Sequence, residues 1–259
     1  MTVYQRLRAR ANLVLSLAQR EYRVRYRQST VGILWAVIPP IVSVAAATLV
    51  FHRVVGVRTG GVPYPLFAFA GLAPWTFLAS SLSFGVPSVI NAWQTITRIP
   101  FPRVALPLAM IATAVIDLAL ATATFVVFVY VTGGSLPITA LWYPVIFLVE
   151  LILAIGVVLL GSALNVFARD VKLLIPLLIP MWLLLTPVLY PLASVPDNLR
   201  PFYLINPMTG IVESFRDVLI AGIGPEISVI GPSILGAVVA FALGTWYFSS
   251  TERRFADVI

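Results

Sequence analysis

Seven arginines stand among the first thirty residues (Arg6, Arg8, Arg10, Arg20, Arg23, Arg25 and Arg27), and the chain behind them is 60% apolar and only 10% charged. A hydrocarbon core about 30 Å thick is crossed by about 20 apolar residues in a helix. Arginine-rich flanks stay on the cytoplasmic face. The pattern therefore predicts an all-α integral membrane protein whose N-terminus is cytoplasmic. The first apolar run starts at Ile33, too late and too long for a secretory signal, so no cleavage is expected.

Charge-free runs, bounded by breakers and sorted by length, predict six spans: Ile33 to Phe51, Pro65 to Pro87, Val104 to Val131, Leu141 to Phe167, Leu173 to Leu192 and Val229 to Phe248. Both termini then share one side. Thirteen of the Lys and Arg residues fall on the cytoplasmic face of this topology, against four outside (Arg53, Arg58, Arg200 and Arg216), and the orientation rests mainly on the N-terminal seven. The whole chain, 1–259, reads as one transmembrane domain: an interface helix over 1–30, a six-span body over 33–248 and a cytoplasmic tail over 249–259.

Within 1–30, Val3, Leu7, Ala11, Val14, Ala18 and Tyr22 share a helical face opposite Arg6, Arg10, Arg20, Arg23 and Arg27. That is an amphipathic helix lying in the membrane interface. Leu13, Leu17 and Val24 interrupt the polar face, which could instead meet a protein.

Two connections are longer than a turn needs. Ser88 to Arg103 holds Asn91, Trp93, Gln94, Thr95, Thr97 and Arg98, then Pro100 and Pro102, which predicts a short surface helix and a rigid extended turn suited to docking. Ala193 to Ser228 lies outside. There Asn206 can cap a helix that begins at Pro207, carries Ile211, Phe215, Val218 and Leu219 on one face and ends at Gly222: a half-immersed or re-entrant helix. Val195 to Phe202 predicts a second short helix. The chain shows no internal repeat, which weakens an inverted-repeat carrier.

Composition closes several routes. The basic residues sit at membrane edges, so the pI near 10.1 points to anionic lipid headgroups rather than nucleic acid. There is no cysteine for a disulfide or thiolate metal site, and His52, the sole histidine, has no second ligand nearby. A phosphate-binding loop needs Lys-Ser/Thr after a Gly-rich turn, but the sole lysine, Lys172, precedes Leu173 and Leu174. The chain is therefore not expected to use ATP by itself, and no catalytic constellation presents itself.

Asp117 and Glu150 fall inside predicted spans, where a charge must face protein or water. They could relay protons or contact substrate, or each could make an interhelical hydrogen bond. Pro176, Pro180, Pro187 and Pro191 share an arc of the fifth span, and each frees the carbonyl four residues earlier. Those acceptors could bind sugar hydroxyls, or be satisfied by neighbouring helices. Trp35, Phe51, Tyr64, Phe67, Phe69, Trp75, Phe77, Trp182 and Tyr190 crowd the presumed passage, where rings could stack on sugar faces or simply pack.

Six segments taken in order carry a resemblance: Val24 to Pro40, Val62 to Phe77, Ile96 to Arg103, Ala163 to Val171, Pro187 to Pro196 and Ile205 to Arg216. Over nearly its whole length the chain resembles the membrane subunits of ATP-binding-cassette polysaccharide exporters, the permeases of O-antigen, capsule and teichoic-acid export. The resemblance implies a homodimer joined by two copies of a cytoplasmic ATPase that binds ATP and Mg, with no cofactor in this chain. The cargo it implies is a lipid-linked, O-antigen-like polysaccharide leaving the cytoplasm of a bacterial or archaeal cell across the inner membrane. Carried onto this sequence, Arg20, Arg23, Arg25 and Arg27 belong to the interface helix. Asn91, Trp93, Gln94 and Arg98 form the main ATPase-coupling element, and Arg169, Asp170 and Lys172 a smaller one. Pro196, Met208, Ile211 and Phe215 mark the exit gate. The path runs along the first and fifth spans past Trp35, Phe51, Trp75, Phe77, Trp182, Pro187 and Tyr190. The competing expectation is a proton-coupled secondary transporter using Asp117 and Glu150.

Overall fold

The computed structural model describes residues 3–26, 37–93 and 102–255, and the regular secondary structure among them is all helical. Ten α-helices are numbered here in chain order. Helix α1 (Val3–Tyr26) is followed by α2 (Ile38–Ala47), which continues as a π-helical stretch over Thr48–Val54. Next come α3 (Tyr64–Gly85), the four-residue α4 (Ser88–Asn91), α5 (Ala105–Val131), and α6 (Tyr143–Phe167), which is led in by a 3-10 turn over Ile138–Trp142. Then follow α7 (Val171–Leu184), α8 (Arg200–Ile205), α9 (Pro207–Arg216) with a π-helical extension Asp217–Ala221, and α10 (Ile227–Thr251).

Among the described residues, four helical stretches are long and apolar enough to cross a membrane: Tyr64–Gly85, Ala105–Val131, Ile138–Phe167 and Ile227–Arg254. They match the second, third, fourth and sixth expected spans to within a few residues. The other two expected spans fall on shorter apolar helices, Ile38–Val54 and Val171–Leu184. The fifth stops at Leu184 because Pro187 and Pro191 remove the donors that further turns would need. Residues 33–36, where the first was expected to start, lie outside the described residues.

Helix α3 is the hub. Of its most apolar stretch 72% is buried, against 22% for α10. It packs on α5, α6, α7 and α9, with Phe69 against Phe125 and Phe77 against Phe147 at ring separations of 5.7 and 5.5 Å. The most extensive helix pair is α6 with α10. Their backbones touch at Gly156 and Gly244, where a Cβ on either residue would run into the other helix's main chain. Between apolar helices in lipid, such small residues permit the close packing that holds a bundle together.

The bundle has two distinct ends. At one, the Arg103 backbone N–H donates to Glu252 Oε1 at 3.1 Å and its guanidinium to the Glu252 carbonyl, tying the entrance of α5 to the exit of α10. A small core of Val89, Leu106, Leu159, Ala163, Val166, Phe248 and Phe255 fills the space beneath, and Leu17 of α1 packs on it. At the other end lie the connections after α2, α5 and α7. Helix α1 leans on α5, with Ala18 buried and Val14, Leu17 and Tyr22 half-buried, and leaves Arg8, Arg20 and Arg23 exposed. Its packed arc includes Leu13 and Leu17, which the wheel placed on the polar side, so protein covers part of that face.

Candidate functional site

The end opposite Arg103 is built around one arginine. Arg216, in the last turn of α9, is only 4% exposed. Its guanidinium donates to the Pro187 carbonyl at 2.6 Å, to the Val188 carbonyl, to the Phe67 carbonyl at 3.4 Å and to Glu213 Oε1 at 2.9 Å, and it lies 3.7 Å above the Phe67 ring. Glu213 Oε1 also accepts from the Leu192 backbone N–H at 3.1 Å. One forked side chain thus joins α3, the unwound stretch after α7 and α9, a task that needs a planar cation with several fixed donors. Burial lowers the Arg216 pKa and Glu213 opposes that shift, so the carboxylate keeps the cation in place. Room for the guanidinium comes from Gly71, where a Cβ would stand 2.6 Å from Arg216 Nη2 and 2.9 Å from the Val188 oxygen.

Asn206 caps α9 as its sequence position predicted: Oδ1 accepts from the Met208 N–H at 3.1 Å, with Pro207 in the first turn. The same oxygen accepts from Trp182 Nε1 at 3.0 Å, and Nδ2 donates to Thr186 Oγ1 at 2.8 Å. The helix continues through its π turn to Gly222, whose φ of +72° closes it. The second short helix forms at Arg200–Ile205, somewhat later than expected, with Asp197 paired to Arg200 at 3.3 Å.

These partners account for carbonyls in the unwound part of the fifth segment. Tyr190 Oη donates to the Leu184 carbonyl and Tyr64 Oη to that of Leu189, both at 2.8 Å. The Pro187 and Val188 oxygens belong to Arg216. Of the four carbonyls that the prolines free, that of Pro187 accepts from Arg216 at 2.6 Å and that of Leu183 from the Thr186 N–H at 3.2 Å.

The expected path residues are dispersed. Trp75 and Phe77 are buried, Trp75 edge-on to Trp182 at 5.9 Å and Phe77 against Phe147. Phe51 is half-buried in the π turn, Pro187 is buried and Tyr190 is half-buried, its hydroxyl also 3.2 Å from that of Tyr203. Trp35 lies outside the described residues. Of the exit set, Met208, Ile211 and Phe215 are buried, Phe215 packing on the Tyr143 ring at 5.0 Å, whereas Pro196 is exposed. Glu150 is fully buried and neither carboxylate oxygen has a hydrogen-bond partner among the described residues.

At the Arg103 end the pattern reverses. Asn91, the last residue of α4, and Trp93 just past it are exposed, as are Arg169 and Asp170 in the turn between α6 and α7 and Lys172 in the first turn of α7. Gln94 and Arg98 lie outside the described residues, as does Arg27, and nothing is described of the Arg25 side chain; Arg20 and Arg23 are exposed. The two patches are tied together by a residue given no role in the sequence reading. Asn165, fully buried, donates Nδ2 to the Val86 carbonyl at 3.4 Å and accepts from the Lys172 N–H at 3.1 Å. An asparagine two residues before a helix end, followed by a charged turn, was the available signal.

Comparison with known proteins places this geometry in context. The family model described as ABC-2 type transporter matches residues 12–220. The chain is 28% identical over 249 residues to the O-antigen export system permease protein RfbA of Myxococcus xanthus, covering 95% of each chain. It is 27% identical over 249 residues to the protein of the same description from Klebsiella pneumoniae, covering 96% of this chain and 95% of the relative. To the polysialic acid transport protein KpsM of Escherichia coli it is 26% identical over 218 residues, 81% of each.

Proposed function

Because the chain belongs to the ABC-2 type transporter family, of which it is a multi-pass membrane subunit and a transport component rather than an enzyme, we propose that it is the permease of an ATP-driven polysaccharide exporter. It moves a lipid-linked, O-antigen-like glycan from the cytoplasmic side across the inner membrane, as a homodimer bound to two copies of a cytoplasmic ATPase that holds ATP and Mg. The observation that carries the reading is the near full-length similarity to permeases named for O-antigen export. In this reading each subunit crosses six times, with Ile38–Val54 and Val171–Leu184 as the first and fifth crossings, and both termini are cytoplasmic.

The contrast between the two ends supports the assignment of roles. Exposed Asn91, Trp93, Arg169, Asp170 and Lys172 meet the ATPase, joined by Gln94 and Arg98. Because Asn165 bridges the two patches, a push on either reaches both α3 and α7. At the opposite end Arg216 links α3, the stretch after α7 and the α9 helix, so movement of α7 is passed to Met208, Ile211 and Phe215 at the exit. The glycan passes beside the first and fifth crossings, near Trp35, Phe51, Trp182, Pro187 and Tyr190, with Trp75 and Phe77 backing that wall from the core. Energy enters by docking rather than by titration of groups in the bundle.

The test is ATP hydrolysis and glycan export by the purified complex with its ATPase. The exporter reading predicts no hydrolysis by this chain alone, and loss of export coupling when residues 91–98 are replaced by a Gly/Ser linker. Full export after that replacement would refute the coupling role. A second reading, proton-coupled transport through Asp117 and Glu150, has one observation in its favour, the unpartnered burial of Glu150. Abolition of transport by Asp117→Asn, with ATPase coupling intact, would favour it.

A further inference from the structure

Arg53 and Arg58 sit at the Arg216 end, on the side where a membrane protein carries few cations, and the transport reading gives them no work. Arg53 closes one end of an apolar groove of about 600 Å³ between the α2 segment, the start of α3 and the second half of α5. Buried Val44 and Phe69 form its floor, and exposed Ile41, Leu49 and Val127 its rims. Among the described residues the only other polar side chains lining it are Thr48 and Thr124, and each spends its hydroxyl on its own helix, on Val44 O at 2.7 Å and Leu120 O at 2.8 Å. Arg53 itself is exposed and makes no ion pair among the described residues.

The π-helical stretch Thr48–Val54 shapes this groove. Widened turns of this kind are uncommon and recur at functional positions. Here the stretch supplies Thr48, Leu49 and Arg53 to the groove, while the next side chain back along it, His52, stacks on Tyr64 at 5.7 Å and fixes the turn against α3.

We propose that this groove is a binding site for an anionic phospholipid of the surrounding leaflet. Arg53 holds the phosphodiester and one acyl chain lies over Val44 and Phe69. The occupant follows from the lining. With both hydroxyls satisfied internally, the walls offer nothing to a sugar or to a peptide backbone, whose polar groups would be left unpaired. The exposed apolar rims face hydrocarbon, and a single unpaired cation at the headgroup level matches one phosphodiester charge rather than a pyrophosphate. The inference needs only that the chain is a membrane protein, and it is independent of which glycan is exported.

The experiment is native mass spectrometry of the full-length protein released from nanodiscs of phosphatidylglycerol and phosphatidylcholine in equal parts. The account predicts that Arg53 contributes about fivefold to the ratio of retained phosphatidylglycerol to phosphatidylcholine, the worth of one cation at a charged membrane surface. Arg53→Gln lowers that ratio by this factor and Arg53→Lys keeps it. Val127→Trp, which fills the groove with Arg53 intact, lowers retention of both lipids, and Arg200→Gln changes nothing. A preference that Arg53→Gln leaves undiminished, or retention indifferent to Val127→Trp, overturns the site. So does displacement of phosphatidylglycerol by an equal amount of a polyprenyl phosphate, or a disulfide between two copies carrying Val127→Cys, which would show the groove sealed by a second subunit. Because the readout is lipid retention and not export, failure here leaves the exporter reading intact.

Discussion

The two ends of the bundle use charge in opposite ways. At the Arg216 end the charged and amide groups are turned inward: Arg216, Glu213 and Asn206 each serve two or more segments, and the backbone they hold is irregular. At the Arg103 end, Arg169, Asp170 and Lys172 face outward, and the organising contacts are the buried Asn165 amide and the Arg103–Glu252 link. An inward network stabilises the chain on its own account. An outward set contributes little to folding and is free for a partner. Comparing the two therefore separates residues that hold the fold from residues that await something else.

The sharpest way to break the comparison is Arg216→Leu, which strands Glu213 and the carbonyls of Pro187, Val188 and Phe67. Removing one member of a buried pair costs about 3–5 kcal/mol, so thermal unfolding in detergent should fall to the point where little folded protein is recovered. A shift no larger than that of a surface substitution would contradict the network. Next comes Gly71→Ala, whose methyl group collides with the guanidinium; overpacking of this kind costs about 1–3 kcal/mol, read as a lower unfolding midpoint. Asn206→Ala removes the α9 cap, typically about 1 kcal/mol, together with the hydrogen bond from Trp182, so the Trp182 fluorescence should also change.

Asp217 sharpens the contrast through pH. Burial, assisted by Glu213 and Glu226 and opposed by Arg216, pushes its pKa up from 3.8 to about 6. A folded-state pKa above the unfolded one means the native state holds the proton more tightly. The stabilising contribution is then full below about pH 4, declines as pH rises through 6 and is absent above. Asp217→Asn should flatten that part of the stability–pH curve; an unchanged slope would assign it to other groups. The smallest effect belongs to the other end. Arg169→Ala and Lys172→Ala should alter unfolding by less than about 0.5 kcal/mol, as exposed substitutions do, while weakening co-purification of the ATPase.

How much of this could be read in the sequence follows from the range of each interaction. Asn206, Pro207 and Gly222 were legible as the start and stop of a helix because capping acts over a few residues. The four long spans were legible because length and apolarity are local sums. The π widening of Thr48–Val54 was not, since it depends on what the neighbouring helices offer the backbone. Arg216 was noted as an external charge, and the carbonyls it binds lie 28 to 149 residues away in sequence. Trp75 and Phe77 were singled out by side-chain type, which says nothing about facing, and both point into the core. Asn165 stood out only by its place just before a charged turn, and nothing local betrays its two backbone partners.

The central claim is that this chain is a conduit driven through its Arg103 end by a separate ATPase. The most direct measurement is glycan movement into proteoliposomes holding the chain alone, under a proton gradient, beside proteoliposomes that also hold the ATPase and ATP. The account predicts no movement in the first and export in the second. Sustained movement in the first, with no ATPase supplied, would contradict it.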